Sequence, residues 1–219
     1  MTLYYNTVDP DLRYCLDILM KAEILADFRL VGGTALSLQV GHRRSVDIDL
    51  FTDAPYDTVD FQGTDEFVEA AFPYASHMAN CSPALGKSYS IGNHRTNAVK
   101  LDLFYTDPFI FPAVVAENIR LASVEEIAAM KPDVILRGGR KKDFGDLHEL
   151  LTIHDVSTLL ALHRQRYEYA HDRNLLLKNL TDFASAEEDF DPICLKGKYW
   201  QFVKEDIQEA VALTIRSAL

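Results

Sequence analysis

The chain has 219 residues, 48% hydrophobic and 25% charged, with a formal net charge of -11 and a pI near 5.0. That composition excludes a disordered or collagen-like chain and leaves room for one large domain or two small ones, with no need of disulfide or metal staples. So acidic a surface repels polyanions over most of its area, which excludes general DNA binding; no stretch reaches the roughly 20 apolar residues that cross a bilayer.

Leu12, Cys15, Leu16, Leu19 and Met20 recur at helical spacing and predict an amphipathic helix over 11–27. The apolar run Phe28 to Val31 reads as a buried strand cut by a tight Gly32-Gly33 turn. Thr34 is then placed to cap a short helix that runs to Gln39 and closes at Gly41. From Val46 to Phe51 the residues alternate with the period of a strand, Val46, Ile48 and Leu50 on one side and Asp47, Asp49 and Phe51 on the other. A helix over 65–72 and strands over 88–91 and 98–105 follow; in the last, Lys100 and Asp102 share a face.

Beyond Pro112 the texture changes. A strand is expected over 114–121, and Ser123-Val-Glu-Glu126 is a capping-box pattern that starts a helix. Pro132 falls inside that helix, directly after Lys131, and predicts a kink or restart. Helices dominate from there to a long one over 199–217, striped with Val203, Ile207, Ala210, Val211 and Thr214. The expected architecture is α+β: a sheet-bearing core over 1–121 and a mainly helical region over 122–219 packed against it.

Cys15, Cys81 and Cys194 are odd in number, far apart and without a C-x-x-C pair, which argues against a disulfide framework or zinc knuckle. The first residues lack the basic and apolar regions of a signal peptide, so a cytoplasmic protein is expected.

The densest chemistry is Gly32-Gly33-Thr34 followed by Arg43-x-Ser45-x-Asp47-Ile48-Asp49. Carboxylates two apart on a strand project from one face and repel each other, and a divalent cation is the simplest compensation. A bare D-x-D on an exposed edge strand is merely solvated, so the neighbours matter. The glycine turn at a helix mouth offers backbone N–H groups to phosphate. Asp102 lies between apolar residues on what reads as a central strand, where an unpaired carboxylate is costly. Asp143 and Asp146 border the apolar stripe of a later helix, where the acids of a first turn also suit the helix dipole. Three carboxylates beside such a turn would hold two Mg²⁺ ions for nucleotidyl transfer. A dehalogenase-type phosphatase wants an apolar run before its first aspartate, where this chain has His42-Arg43-Arg44-Ser45; a dinucleotide fold wants G-x-G-x-x-G, which is absent.

The stretch VGGTALSLQVGHRRSVDIDLF resembles the signature of the AbiEii/AbiGii toxin family of nucleotidyltransferases, in the DNA-polymerase-β-like superfamily. VKLDLF and EEIAAMKPDVILRGGRKKDFGDL are similar to later parts of that family, in the same order, so the resemblance spans about residues 28–151. It implies a polymerase-β-like mixed sheet, an NTP substrate with two Mg²⁺ ions and an antitoxin partner, with RNA, protein or a small molecule left open as acceptor. It also implies roles. Asp47, Asp49 and Asp102 would bind metal, with Asp102 alternatively a base, and Gly32, Gly33 and Thr34 would meet the nucleotide phosphates. Arg43 and Ser45 would steer the triphosphate or fix the loop; Lys131 would lie near the nucleotide and Asp143 matches the aspartate of the family's K/R-D-x-x-D-L helix, both counted with the three carboxylates as catalytic. The competing reading is an inactive toxin-like scaffold that only binds a partner.

Overall fold

The computed structural model describes residues 1–77 and 85–217; the sequence reading of Cys81 falls outside them. The chain divides into two compact units, Met1–Gly41 with Ser45–Ala122, and His42–Arg44 with Ser123–Leu219.

The first unit carries a seven-stranded mixed sheet. Its elements in chain order are α1 (Pro10–Leu19), β1 (Arg29–Leu30), α2 (Gly32–Val40), β2 (Asp47–Thr52), α3 (Phe61–Ala71), β3 (Tyr74–His77), β4 (Gly86–Gly92), β5 (Val99–Tyr105), β6 (Val114–Ala116) and β7 (Ile119–Leu121). The strand order is β3-β4-β5-β2-β1-β7-β6, with β2 parallel to β5, β1 parallel to β7, and the other pairs antiparallel.

Alternation decides the two faces of the central strands. Ile48 and Leu50 of β2, with Leu101 and Leu103 of β5, are fully buried, alongside Leu12, Leu16 and Leu19 of α1. The opposite face therefore carries Asp47, Asp49 and Phe51 beside Lys100, Asp102 and Phe104.

Three local expectations are corrected. The first helix starts at the Asp9 cap, whose side chain accepts from the Leu12 N–H, and ends at Leu19, well short of residue 27. A 3-10 turn over Glu23–Leu25 follows it. Gly32 and Gly33 form the first turn of α2 rather than a separate turn, so Thr34 lies inside the helix and not at its cap, which is Val31. The single strand over 114–121 is a hairpin, because Glu117 and Asn118 both take positive φ (51° and 68°) and fold β6 back on β7.

The second unit contains α4 (Val124–Leu136), α5 (Lys141–Leu150), α6 (Val156–Arg166), α7 (Arg173–Asn179) and α8 (Trp200–Arg216). Ser123 caps α4 as expected, its Oγ accepting from the Glu126 N–H at 3.1 Å. No restart occurs at Pro132; α4 runs through it, held by burial of Glu126 to Asp133 without interruption. Glu126 and Arg166 form an ion pair that is wholly buried. Phe144, Phe183 and Trp200 pack as a cluster with ring centroids 4.9 to 6.0 Å apart. Residues His42–Arg44 join this unit by pairing with the 193–195 segment: Arg44 N–H donates to Ile193 O at 2.9 Å and Leu195 N–H to His42 O at 2.8 Å.

A histidine pair links α6 to the loop that follows it. His163 is fully buried, with Nδ1 3.1 Å from Nδ1 of His171, so the two nitrogens share one proton. Burial, with smaller contributions from His171 and Arg137, pushes the His163 pKa down to about 4 against the pull of Asp133. An unfolded His163 protonates first, so its stabilising effect is full above its ordinary pKa of 6.5 and is lost as the pH falls toward about 4. His163→Phe should therefore lose less melting temperature than wild type between pH 7 and pH 4.5, read by circular dichroism; parallel curves would exclude His163 as a source of acid sensitivity.

Candidate active site

The carboxylates of the sheet meet through strand register. Parallel pairing sets Asp47 opposite Lys100 and Asp49 opposite Asp102 on one face. Neighbouring strands lie about 5 Å apart, so Asp49 and Asp102 are direct neighbours. Antiparallel β4 adds Ser88 opposite Asp102. Asp102 is held on both oxygens, by Ser88 Oγ and by Lys100 Nζ, each at 2.5 Å. Burial would pull the Lys100 pKa down; the hydrogen bond and charge of Asp102, with the charges of Asp49 and Asp47, outweigh it and hold the pKa above its ordinary value. An ammonium ion thus already sits in the combined field of all three carboxylates. Among the described residues, no three His, Cys, Asp or Glu side chains are grouped closely enough to form a ready-made metal centre.

The start of α2 lies against this face. Gly32 has φ +66°, and a Cβ there would stand 3.0 Å from Asp49 Oδ2. Both the left-handed backbone and the close approach require glycine. Thr34, for which a phosphate contact was expected, is turned inward. It is 1% exposed, and its hydroxyl donates to the Asp47 carbonyl oxygen at 2.5 Å. Ser45 Oγ, 2.7 Å away, is then the donor to Thr34. Thr34 and Ser45 thereby fix the backbone from which Asp47 projects, and Ser45 N–H is anchored on Thr7 O at 2.8 Å.

Arg43, Lys131 and Asp143 belong to a different cluster, inside the helical unit. Its centre is Asp146, fully buried. Oδ1 accepts from His42 Nε2 at 2.7 Å and Arg43 Nε at 2.6 Å, while Oδ2 accepts from Arg43 Nη2 and Lys131 Nζ, both at 2.9 Å. Lys131 reaches Asp143 Oδ1 at 3.0 Å, and Asp143 Oδ2 accepts from the Arg140 N–H at the start of α5. Burial would raise the Asp146 pKa, but Arg43 and Lys131, with hydrogen bonds from His42 and Arg43, hold it well below the usual carboxylate range. Burial likewise opposes the charge of Lys131, and Asp146 and Asp143 reverse that effect. Arg43, expected to steer a triphosphate or to fix the loop, grips Asp146 with a two-pronged hydrogen bond.

Sequence reasoning missed Ser88 and the central role of Asp146. Ser88 carries no signal, because only antiparallel register sets it beside Asp102. Asp146 had one, its i+3 spacing from Asp143 at the border of an apolar stripe, but its partners come from distant segments.

A family model described as Nucleotidyl transferase AbiEii toxin, Type IV TA system, matches residues 15–219. Uncharacterized protein aq_aa25 of Aquifex aeolicus (strain VF5) is 30% identical over 208 residues, covering 91% of this chain and 93% of that protein. Among solved structures, MenT4, the nucleotidyltransferase toxin Rv2826c from Mycobacterium tuberculosis H37Rv, aligns with TM-score 0.59 and 16% identity over 92% of this chain and 82% of its own. JHP933 from Helicobacter pylori aligns with TM-score 0.56 and 19% identity, over 92% and 88%. At such identities the structural likeness establishes the fold alone.

Two substitutions test the clusters. Asp146→Ala strands two buried cations and should cost about 3–5 kcal/mol in urea denaturation; a loss under 1 kcal/mol would mean the cluster contributes little to stability. Thr34→Val removes a buried hydroxyl from two partners and should cost roughly 1–3 kcal/mol, with Thr34→Ser recovering most of it.

Proposed function

The chain belongs to the AbiEii nucleotidyl transferase toxin family of type IV toxin–antitoxin systems, and from that membership we propose that it catalyses Mg²⁺-dependent transfer of a nucleotidyl group from an NTP to an RNA or protein hydroxyl, with Asp47, Asp49 and Asp102 as its catalytic carboxylates. The observation that carries this reading is the register of β2 on β5, which sets Asp49 beside Asp102 with a lysine ammonium already drawn into their field. That paired lysine supports the fit of these oxygens to a positive ion. Asp47 and Asp49 would hold Mg²⁺, with Asp102 completing the set once Lys100 gives way. The metal, when bound, supplies Lewis-acid polarisation and neutralises charge on the leaving pyrophosphate.

The remaining roles fall to the chain. The Gly32-Gly33 backbone at the N-terminus of α2 lets phosphate oxygens approach N–H groups closely, with the helix dipole in their favour. The acceptor hydroxyl oxygen would form a bond to the α-phosphorus as the bond to pyrophosphate breaks, and Asp102 would serve either as a metal ligand or as the base that takes the hydroxyl proton. Thr34 and Ser45 act as positioning residues for Asp47 through its carbonyl. Arg43, Lys131 and Asp143 act through Asp146, as positioning residues of the His42–Arg44 segment rather than as groups that touch the reacting atoms. The partners that follow from this reading are an NTP, an acceptor and an antitoxin.

Incubating the protein with each of the four α-labelled NTPs, Mg²⁺ and either total RNA or total protein tests the reading directly. Wild type should label one acceptor class, EDTA should stop it, and Asp47→Asn and Asp49→Asn should fall to background. The melting temperatures of both variants should stay close to wild type, because relieved repulsion offsets lost contacts. Absence of labelling with every NTP would favour the binding scaffold instead.

A further inference from the structure

The two oxygens of Asp102 are held by partners of different kinds. Oδ1 accepts from Ser88 Oγ and Oδ2 from Lys100 Nζ, each at 2.5 Å. Ser88 is 7% exposed and stands directly opposite Asp102 in the antiparallel pairing of β4 with β5. Its short side chain loses little rotamer freedom by being held, and its strand is fixed along the whole of β5. Lys100 is the opposite case. It reaches Asp102 from two positions earlier on the same strand, and its side chain is 44% exposed. A long, strongly hydrated side chain loses much freedom in such a pair, and a pair so open to solvent is weak.

Charge separates the two oxygens further. Parallel register sets Asp47 beside Lys100 and Asp49 beside Asp102, so the ammonium on Oδ2 also feels the charges of Asp49 and Asp47. Oδ2 therefore belongs to the field that the three carboxylates share, whereas Oδ1 is tied back to β4. A divalent cation entering that field repels the ammonium and offers the carboxylates twice its charge.

We propose that Ser88 is a positioning residue for Asp102: it anchors Oδ1, so that Oδ2, released by Lys100, is the oxygen that meets an incoming divalent cation. Lys100 is the resident counter-ion whose departure sets how readily that cation enters. Without the Ser88 hydroxyl, Oδ1 loses its buried donor, and the carboxylate is left to turn both oxygens toward the ammonium. Both roles rest on the transfer reading above, and they assign Asp102 to the metal rather than to the acceptor proton.

Mn²⁺ alone is titrated into the full chain, and the free ion is read by electron paramagnetic resonance. Ser88→Ala should weaken binding about 10- to 100-fold, the scale of a lost outer partner of a metal ligand. Ser88→Thr, which keeps the hydroxyl on a residue suited to strands, should recover most of that loss. Lys100→Met should shift the affinity the other way, tightening it about fivefold or more, the scale of one unit charge at contact distance in water. Lys21→Met removes the same charge from an exposed position after α1 and should change nothing. Opposite signs at Ser88 and Lys100 are the signature, because damage to the fold weakens binding at both. Thermal melting by circular dichroism accompanies each variant, and Ser88→Cys, a near-isosteric change to a weak donor, takes the place of Ser88→Ala if that variant fails to fold. Asp49→Asn separates the two readings. Loss of Mn²⁺ in Asp49→Asn, with unchanged affinity in the folded Ser88 variant or in Lys100→Met, would overturn these roles and leave the carboxylate site standing. Undiminished binding in Asp49→Asn, or none in wild type, would overturn both.

Discussion

A single buried carboxylate, Asp146, organises much of the helical unit. Its two oxygens offer about four lone-pair positions, and four donor groups fill them: His42 Nε2, Arg43 Nε, Arg43 Nη2 and Lys131 Nζ. A bare carboxylate in that position would be prohibitively desolvated, and two bare cations equally so; together they are tolerable only because the geometry is complete. The consequence is topological. His42–Arg44 lie in sequence between α2 and β2, yet they belong to the helical unit, where Asp146 and the 193–195 backbone receive them. Residues that look from the sequence like an approach to the D-x-D pair are therefore fixed by helices, and only Ser45 onward returns to the sheet.

In the sheet unit the governing constraint is alternation. Burying Ile48, Leu50, Leu101 and Leu103 on one face of β2 and β5 forces Asp47, Asp49, Lys100 and Asp102 onto the other. Like charges concentrated there would destabilise the pairing. Lys100 and Ser88 relieve that repulsion by holding Asp102. The sheet thus keeps an acidic face by lending it a lysine. Thr34, 1% exposed, contributes from beneath, by securing the carbonyl of Asp47.

The family motifs, the α+β class and the pairing of Asp47 with Asp49 were legible because each depends on short-range pattern: period two for the strand, Ser123 for the start of α4, Gly41 for the end of α2. Element ends were less legible. The helix after Asp9 stops at Leu19 although apolar residues continue, and β6 and β7 split because Glu117 and Asn118 adopt positive φ, which their residue types permit but do not demand. The inward turn of Thr34 was illegible for a related reason. A hydroxyl after two glycines suits a phosphate or a buried carbonyl equally well, and only the position of β2 selects the carbonyl.

The sequence by itself determined which residues carry charge at strand period and where glycine relieves the backbone, since both follow from local geometry. It also determined family membership, because the motifs are contiguous. Only the tertiary structure decided that Asp102 would stand beside Asp49, and that Arg43 and Lys131 would converge on Asp146. Those juxtapositions join residues from 15 to 103 positions apart. They arise from strand register and helix packing, in which the burial of apolar side chains elsewhere dictates which polar groups must meet.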